Sequence, residues 1–156
     1  MKRDFPNFGR YVCDGDTVTL DIDGFTLTAT IYHDGDHGAP DEDDEGFWPS
    51  LDPDDAGYIG SKSKSTLARH MAFADRVMQA WRDGEWFYGG VAVTVEREGV
   101  QLTGRYDHAV WGLECNYPER NKRHRPNVYL AEVASEFIEE ALDAARDELE
   151  ELCEGV

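Results

Sequence analysis

The sequence predicts an α+β domain: an antiparallel β-sheet of about four to five strands, two α-helices packed on one face, and a long acidic loop. Two runs that alternate apolar and polar residues flank Asp23-Gly24. Two later stretches repeat apolar residues at helical spacing, and the charge falls in blocks. With 156 residues the chain, read as a single domain over 1–156, is long enough to bury a core without staples.

In chain order, Thr17 to Asp23 alternates, and Phe25 to Tyr32 alternates again across Asp23-Gly24, a strong hairpin signal. Residues 33–60 hold three of the six prolines and no sustained period, and read as an acidic loop. Loops this long are usually functional or disordered. Ser61, Ser63 and Ser65 offer N-caps to a helix whose stripe is Leu67, Met71, Ala74, Met78 and Trp81, with Gly84 as its stop. His70 falls on the apolar side of that helix, which predicts a buried histidine. Trp86 to Glu98 reads as a strand interrupted at Gly89-Gly90. Glu98-Gly99 turns it, Val100 to Arg105 pairs back, and Ala109 to Tyr117 adds a strand. The acidic C-terminal helix spans 127–154, one continuous run from Val128 to Cys153. Leu130, Val133, Phe137, Ala141, Ala145, Leu149 and Leu152 line one face, and Gly155 follows as a stop.

Thirty-three acids against fifteen bases leave a formal charge of −18. This excludes a sequence-independent nucleic-acid binder, which needs a basic footprint, and disfavours anionic membranes. A content of 40% hydrophobic and 12% aromatic residues argues against an acidic disordered chain. The charge is blocky. Residues 11–61 carry fourteen acids and no Lys or Arg, 62–129 are slightly basic, and 130–156 carry ten acids with Arg146 alone against them. Clustering of this kind suits a surface that meets something positive.

Cys13, Cys115 and Cys153 are widely spaced, so neither a disulfide framework nor a cysteine zinc site is expected, and a reducing cytosol is. No apolar leader or run of about 18 apolar residues is present, which predicts a soluble cytoplasmic protein.

The C-terminal helix is the first candidate for function. Glu132, Glu136, Glu139, Glu140, Asp143 and Asp147, continued by Glu148, Glu150, Glu151 and Glu154, lie largely opposite its apolar stripe. From Glu132 to Glu154 the helix spans roughly 33 Å, about one turn of duplex DNA. A solvated helix face ordinarily interleaves both signs, and this one does not. The second candidate is the loop. Asp41, Glu42, Asp43, Asp44 and Glu45 precede Phe47 and Trp48, and Asp52, Asp54 and Asp55 follow. Either Phe47 and Trp48 fold back as a lid on the core, or Trp48 anchors a docking element ringed by charge.

Other constellations fall short. His33, Asp34, Asp36 and His37 offer metal-ligating atoms, and Asp34 to Glu45 has the length of a calcium loop, but Ala39 stands where that loop requires glycine. Gly60-Ser61-Lys62-Ser63 departs from a phosphate loop because Ser61 separates glycine from lysine. On one continuous strand, His108 and Cys115 would face opposite sides of the sheet, which argues against a Cys–His nucleophile. No catalytic residue, metal or cofactor is expected. A basic cluster, Arg120, Lys122, Arg123, His124 and Arg125, either neutralises nearby acids or touches the acidic face of a second copy in a homodimer.

Gly24 to Pro40, and Tyr106 to Pro118 running into Tyr129 to Phe137, resemble uncharacterised small acidic proteins encoded on phages and plasmids. The resemblance implies a neighbourhood of DNA-mimic anti-defence inhibitors, anti-CRISPR and anti-restriction proteins. The expected function is therefore a non-enzymatic acidic inhibitor that occludes the DNA-binding site of a host defence nuclease or CRISPR-Cas complex. Its expected partner is a positively charged DNA-binding host protein, not nucleic acid and not a membrane. The alternatives are a salt-adapted acidic protein, consistent with eleven Arg to four Lys, and a small metal-dependent enzyme built on His33–His37.

Overall fold

The computed structural model describes residues 3–121 and 123–155. Its elements are β1 (Thr17–Ile22), β2 (Phe25–His33), α1 (Pro40–Asp43), α2 (Lys64–Arg82), β3 (Phe87–Arg97), β4 (Val100–Gln101), β5 (Ala109–Cys115), α3 (Val128–Ser135) and α4 (Ile138–Glu154). The sheet runs β1-β2-β3-β4, with β5 also pairing β3, and every pairing is antiparallel. This is the α+β class the sequence predicts, but the helices do not share one face as expected: α3 and α4 cover the main core, whereas α2 packs with Trp86 and Tyr88, which point to the other side of the sheet.

Local chemistry fixes the hairpins. Ile22 faces Phe25, leaving Asp23 (φ 52°) and Gly24 (φ 83°) as a two-residue turn. Both occupy the left-handed region that such a turn requires. Glu98 (φ 51°) and Gly99 (φ 82°) repeat it before β4. β4 is shorter than the predicted Val100 to Arg105 because the chain turns away: Thr103 Oγ1 accepts from the Val95 amide, and Asp107 caps the Gly104 amide at 2.8 Å.

Alternation along the strands sorts side chains onto two faces. Leu27, Ala29, Ile31, Val91, Val93 and Val95 form the main core, covered by Leu130, Ala134, Ile138, Ala141, Leu142 and Ala145 of α3 and α4. Thr26, Thr28, Thr30 and Thr94 point the other way. Tyr88 also points away from the main core. There it joins a second cluster built by Val77 and Ala80 of α2 with Trp86, Phe47, Phe73 and Tyr117.

Four expectations change in detail. The predicted C-terminal helix is two helices, α3 and α4, bent at Glu136–Phe137. There the Phe137 amide bonds to Ala134 and that of Glu136 reaches Val133 as well as Glu132, a tightened turn. Ser135 Oγ donates back to the Ala131 carbonyl at 2.7 Å and accepts the Phe5 amide at 2.9 Å, so the N-terminal segment docks at the bend. β3 is continuous through Gly89-Gly90, not interrupted. A Cβ at Gly90 would lie 2.3 Å from the Trp111 ring, so glycine here makes room for a side chain on β5. His70 is exposed, because α2 buries Ala74, Val77, Met78 and Ala80 instead. Finally, a register shift between Gly89 and Val91, with Gly112 at φ 74°, alters the alternation along β5. His108 and Cys115 therefore share the core face, separated by roughly 20 Å of strand.

Two asparagines tie the N-terminal segment to this frame. Asn116 Oδ1 accepts the Val12 amide, its Nδ2 donates to the Val12 carbonyl, and buried Asn127 donates to both Arg10 O and Asn116 Oδ1, each at 2.8 Å. Asn127 Oδ1 accepts the Asn116 amide at 2.8 Å. Asn127→Ala is expected to cost about 2–4 kcal/mol, since it strands several buried polar groups at once. Urea unfolding measures this, and a loss under about 0.5 kcal/mol would contradict the network's role.

Among the described residues, no helix is long and apolar enough to cross a membrane.

Candidate functional site: two acidic surfaces

α4 buries Ile138, Ala141, Leu142 and Ala145 against the sheet. A helix advances 100° per residue, so Glu140, Asp143, Asp147, Glu150, Glu151 and Glu154 fall on its opposite side. All six are exposed, as is Glu139 on the flank. They form a carboxylate ridge roughly 22 Å long. Eight of the seventeen residues are acidic and one, Arg146, is basic. Ion pairing is confined, among the described residues, to the N-terminal half. Glu139 pairs with Arg3 at 3.4 Å and Asp143 with Arg146 at 3.4 Å, and Glu140 lies 3.9 Å from His108. Glu132 and Glu136 are exposed on α3 and at the turn between the two helices.

The acidic loop is organised differently. Many of its carboxylates hold the loop itself together. Glu42 caps the Ala39 amide, Asp43 pairs with His37 Nδ1 at 2.8 Å, and Asp44 accepts the Gly46 amide. Asp52 accepts the Asp54 amide, while Ser50 Oγ donates to Asp55. Asp41 is half-buried, and Glu42, Asp43, Asp44, Glu45, Asp52, Asp54 and Asp55 retain solvent exposure. Trp48 is half-buried, edge-on to Phe47 at 5.0 Å, and Phe47 packs on the second cluster. Of the two readings of this pair, the lid describes Phe47. A Cβ at Gly57 would strike the Trp48 carbonyl, so only glycine lets the loop close on itself.

The loop docks on the Tyr88 side of the sheet and α4 on the other side. The two acidic blocks are therefore separate surfaces on opposite layers, not paired rows of one surface.

Of the other sequence candidates, His33, Asp34 and His37 border one cavity without their ligating atoms converging. His33 stacks on Phe87 at 5.4 Å and His37 on Tyr88 at 3.6 Å, while Asp34 accepts the Gly112 amide at 3.1 Å. Among the described residues, no three His, Cys, Asp or Glu side chains converge as a metal site would require. Ser63 caps α2 through the Thr66 amide. In the basic loop, Arg120 lies 5.4 Å from the centre of the Phe73 ring. Neighbouring Glu119 accepts three hydrogen bonds from Arg10, at 3.0, 3.1 and 3.3 Å. Lys122 lies outside the described residues.

One group escaped the sequence reading. Glu114 borders a cavity of about 370 Å³ with Tyr117, Arg120, His124 and Tyr129. Desolvation raises its carboxyl above the usual range, against a smaller lowering by Arg120. The signal was an acid on a strand whose neighbours are mostly apolar. Nearby, burial pushes the Cys115 thiol up to about 12. The Tyr88 hydroxyl also rises to about 12, through burial first and then the charges of Glu114 and Asp43. In the unfolded chain such groups ionise near pH 8.5–10, so the folded state holds its protons longer. Their stabilising contribution is complete below about pH 8.5 and lost as pH rises toward 12. Stability is expected to fall across that window. Cys115→Ala should make the fall shallower by on the order of 1 kcal/mol or more, read from urea midpoints at successive pH. An unchanged slope would contradict the assignment.

Comparison of the chain with protein-family models, curated proteins and solved structures finds no match.

Proposed function

We propose that the protein is an inhibitory DNA mimic that occupies the positively charged DNA-binding site of a host defence nuclease or CRISPR-Cas complex, acting in the host cytoplasm without turnover. The observation that carries this reading is the exposed carboxylate ridge of α4. Like charges at i,i+3 and i,i+4 each cost a few tenths of a kcal/mol. With Arg146 the sole base on α4, that repulsion is largely uncompensated and is tolerated because Ile138, Ala141, Leu142 and Ala145 on the opposite side are buried. Such an arrangement gains when a cationic groove supplies the missing counter-charges. Glu139, Glu140, Asp143 and Asp147, with Glu132 and Glu136 beyond the bend, form the first contact surface. Asp41 to Glu45, Trp48, Asp52, Asp54 and Asp55 form a second, on the other layer.

DNA cleavage by a panel of purified restriction nucleases and CRISPR effector complexes tests the proposal. At least one member should be inhibited stoichiometrically. Because exposed charges are screened beyond about 8 Å at physiological ionic strength, affinity should drop on the order of tenfold or more between low and high salt. Inhibition of none, or inhibition insensitive to salt, would overturn the reading.

A further inference from the structure

We propose that the cavity where β2, α2 and β3 meet binds an organic cation on an apolar stem, an alkylammonium or guanidinium group such as a lysine or arginine side chain presents. The cavity measures about 390 Å³, and Trp81, Trp86, Phe87 and Tyr88 contribute its walls. Asp34 is the one acid among the described residues that line it. That residue is fixed on three sides: its amide donates to Tyr88 O at 2.8 Å, Oδ2 accepts the Gly112 amide at 3.1 Å, and Oδ1 accepts the Asp36 amide at 3.3 Å. The walls are equally held. Trp86 Nε1 donates to Val77 O at 2.8 Å, and the imidazoles of His33 and His37 stack on Phe87 and Tyr88.

Ring faces attract cations through their quadrupoles, and more strongly when water is excluded. A carboxylate beside them adds a full negative charge, and among the described residues no lysine or arginine lines the cavity to neutralise it. An anion would meet Asp34 and, behind His37, Asp43. A metal ion would find no converging ligand set among the described residues. A neutral apolar guest would gain nothing from the charge of Asp34. The volume lies at the small end of ligand pockets and suits one side-chain tip. The proposal rests on this cavity and not on the α4 ridge, so either can fail alone.

An NMR titration of the full chain with choline chloride tests it, against sodium chloride at equal ionic strength and against 3,3-dimethylbutan-1-ol, the uncharged isostere. Choline should give saturable shifts at the Trp81 and Trp86 indoles, Tyr88 and the Gly112 amide, with the isostere at least tenfold weaker. Asp34→Asn should weaken choline at least tenfold and leave the isostere unchanged, whereas Trp81→Ala should weaken both. Shifts that never saturate, shifts spread over the carboxylates of α4, equal binding of the isostere, or full affinity in either variant would each overturn the proposal. Should Asp34→Asn fail to fold, Trp81→Ala and the isostere still decide it.

Discussion

Reversing Asp143, Asp147, Glu150 and Glu154 to lysine is expected to abolish target binding, by on the order of 100-fold or more, while the fold survives. All four are exposed on the side of α4 away from the sheet. Lysine is as good a helix former as glutamate and better than aspartate, and the spacing of like charges is no worse than before. The buried stripe of Ile138, Ala141, Leu142 and Ala145 is untouched. Placing four positive charges against a cationic groove replaces attraction by repulsion, which costs several kcal/mol, and each 1.4 kcal/mol is about tenfold in affinity. Glu136 and Glu140 are left in place because one forms the bend and the other sits 3.9 Å from His108. Replacing Asp41 to Glu45 by Ser and Gly should have the smaller effect, since that loop is carried on the opposite layer. If the loop change abolishes binding and the helix reversal does not, the ridge is only a solvated face and the loop is the functional surface.

Trp86→Ala should produce the largest loss of stability from a single substitution, roughly 4 kcal/mol. Trp86 is 1% exposed and packs edge-on to Tyr88 at 5.1 Å and Tyr117 at 5.0 Å. Truncation leaves a large cavity and also removes the hydrogen bond from Trp86 Nε1 to the Val77 carbonyl, worth about 1 kcal/mol. Total stability of an ordinary domain is only about 5–15 kcal/mol, so the effect is severe. Because the second cluster holds α2 and Phe47, hydrogen exchange should quicken first in α2 and the acidic loop, and last in β2 and β3. A loss below about 1 kcal/mol would show that this cluster is not a core.

Much of this was legible in local sequence. Asp23-Gly24 announces its hairpin because the turn geometry demands left-handed residues, and Ser63 announces α2 because its hydroxyl caps an orphan amide. What was not legible depends on partners distant in the chain. The bend at Glu136–Phe137 is where the Phe5 amide meets Ser135 Oγ, 130 residues away, and no helical period records that contact. Gly90 looks like a strand breaker until Trp111 is seen to fill its space. His70 sits at an apolar phase of α2, yet it stays exposed while Ala74 and Val77 on the same face are buried. The acidic residues themselves were plain, yet their division between two layers follows from which face Tyr88 and Val91 take on β3, a tertiary fact.

The central claim, that the α4 ridge stands in for DNA, is tested most directly by displacement. A fluorescent duplex bound to an inhibited nuclease or CRISPR complex is titrated with the protein while polarisation is followed. The duplex should be displaced fully near one equivalent, with a midpoint that rises in proportion to duplex concentration, and the four-lysine variant of α4 should displace none. Inhibition of cleavage with the duplex still bound, or displacement by the four-lysine variant at the wild-type midpoint, would contradict the claim.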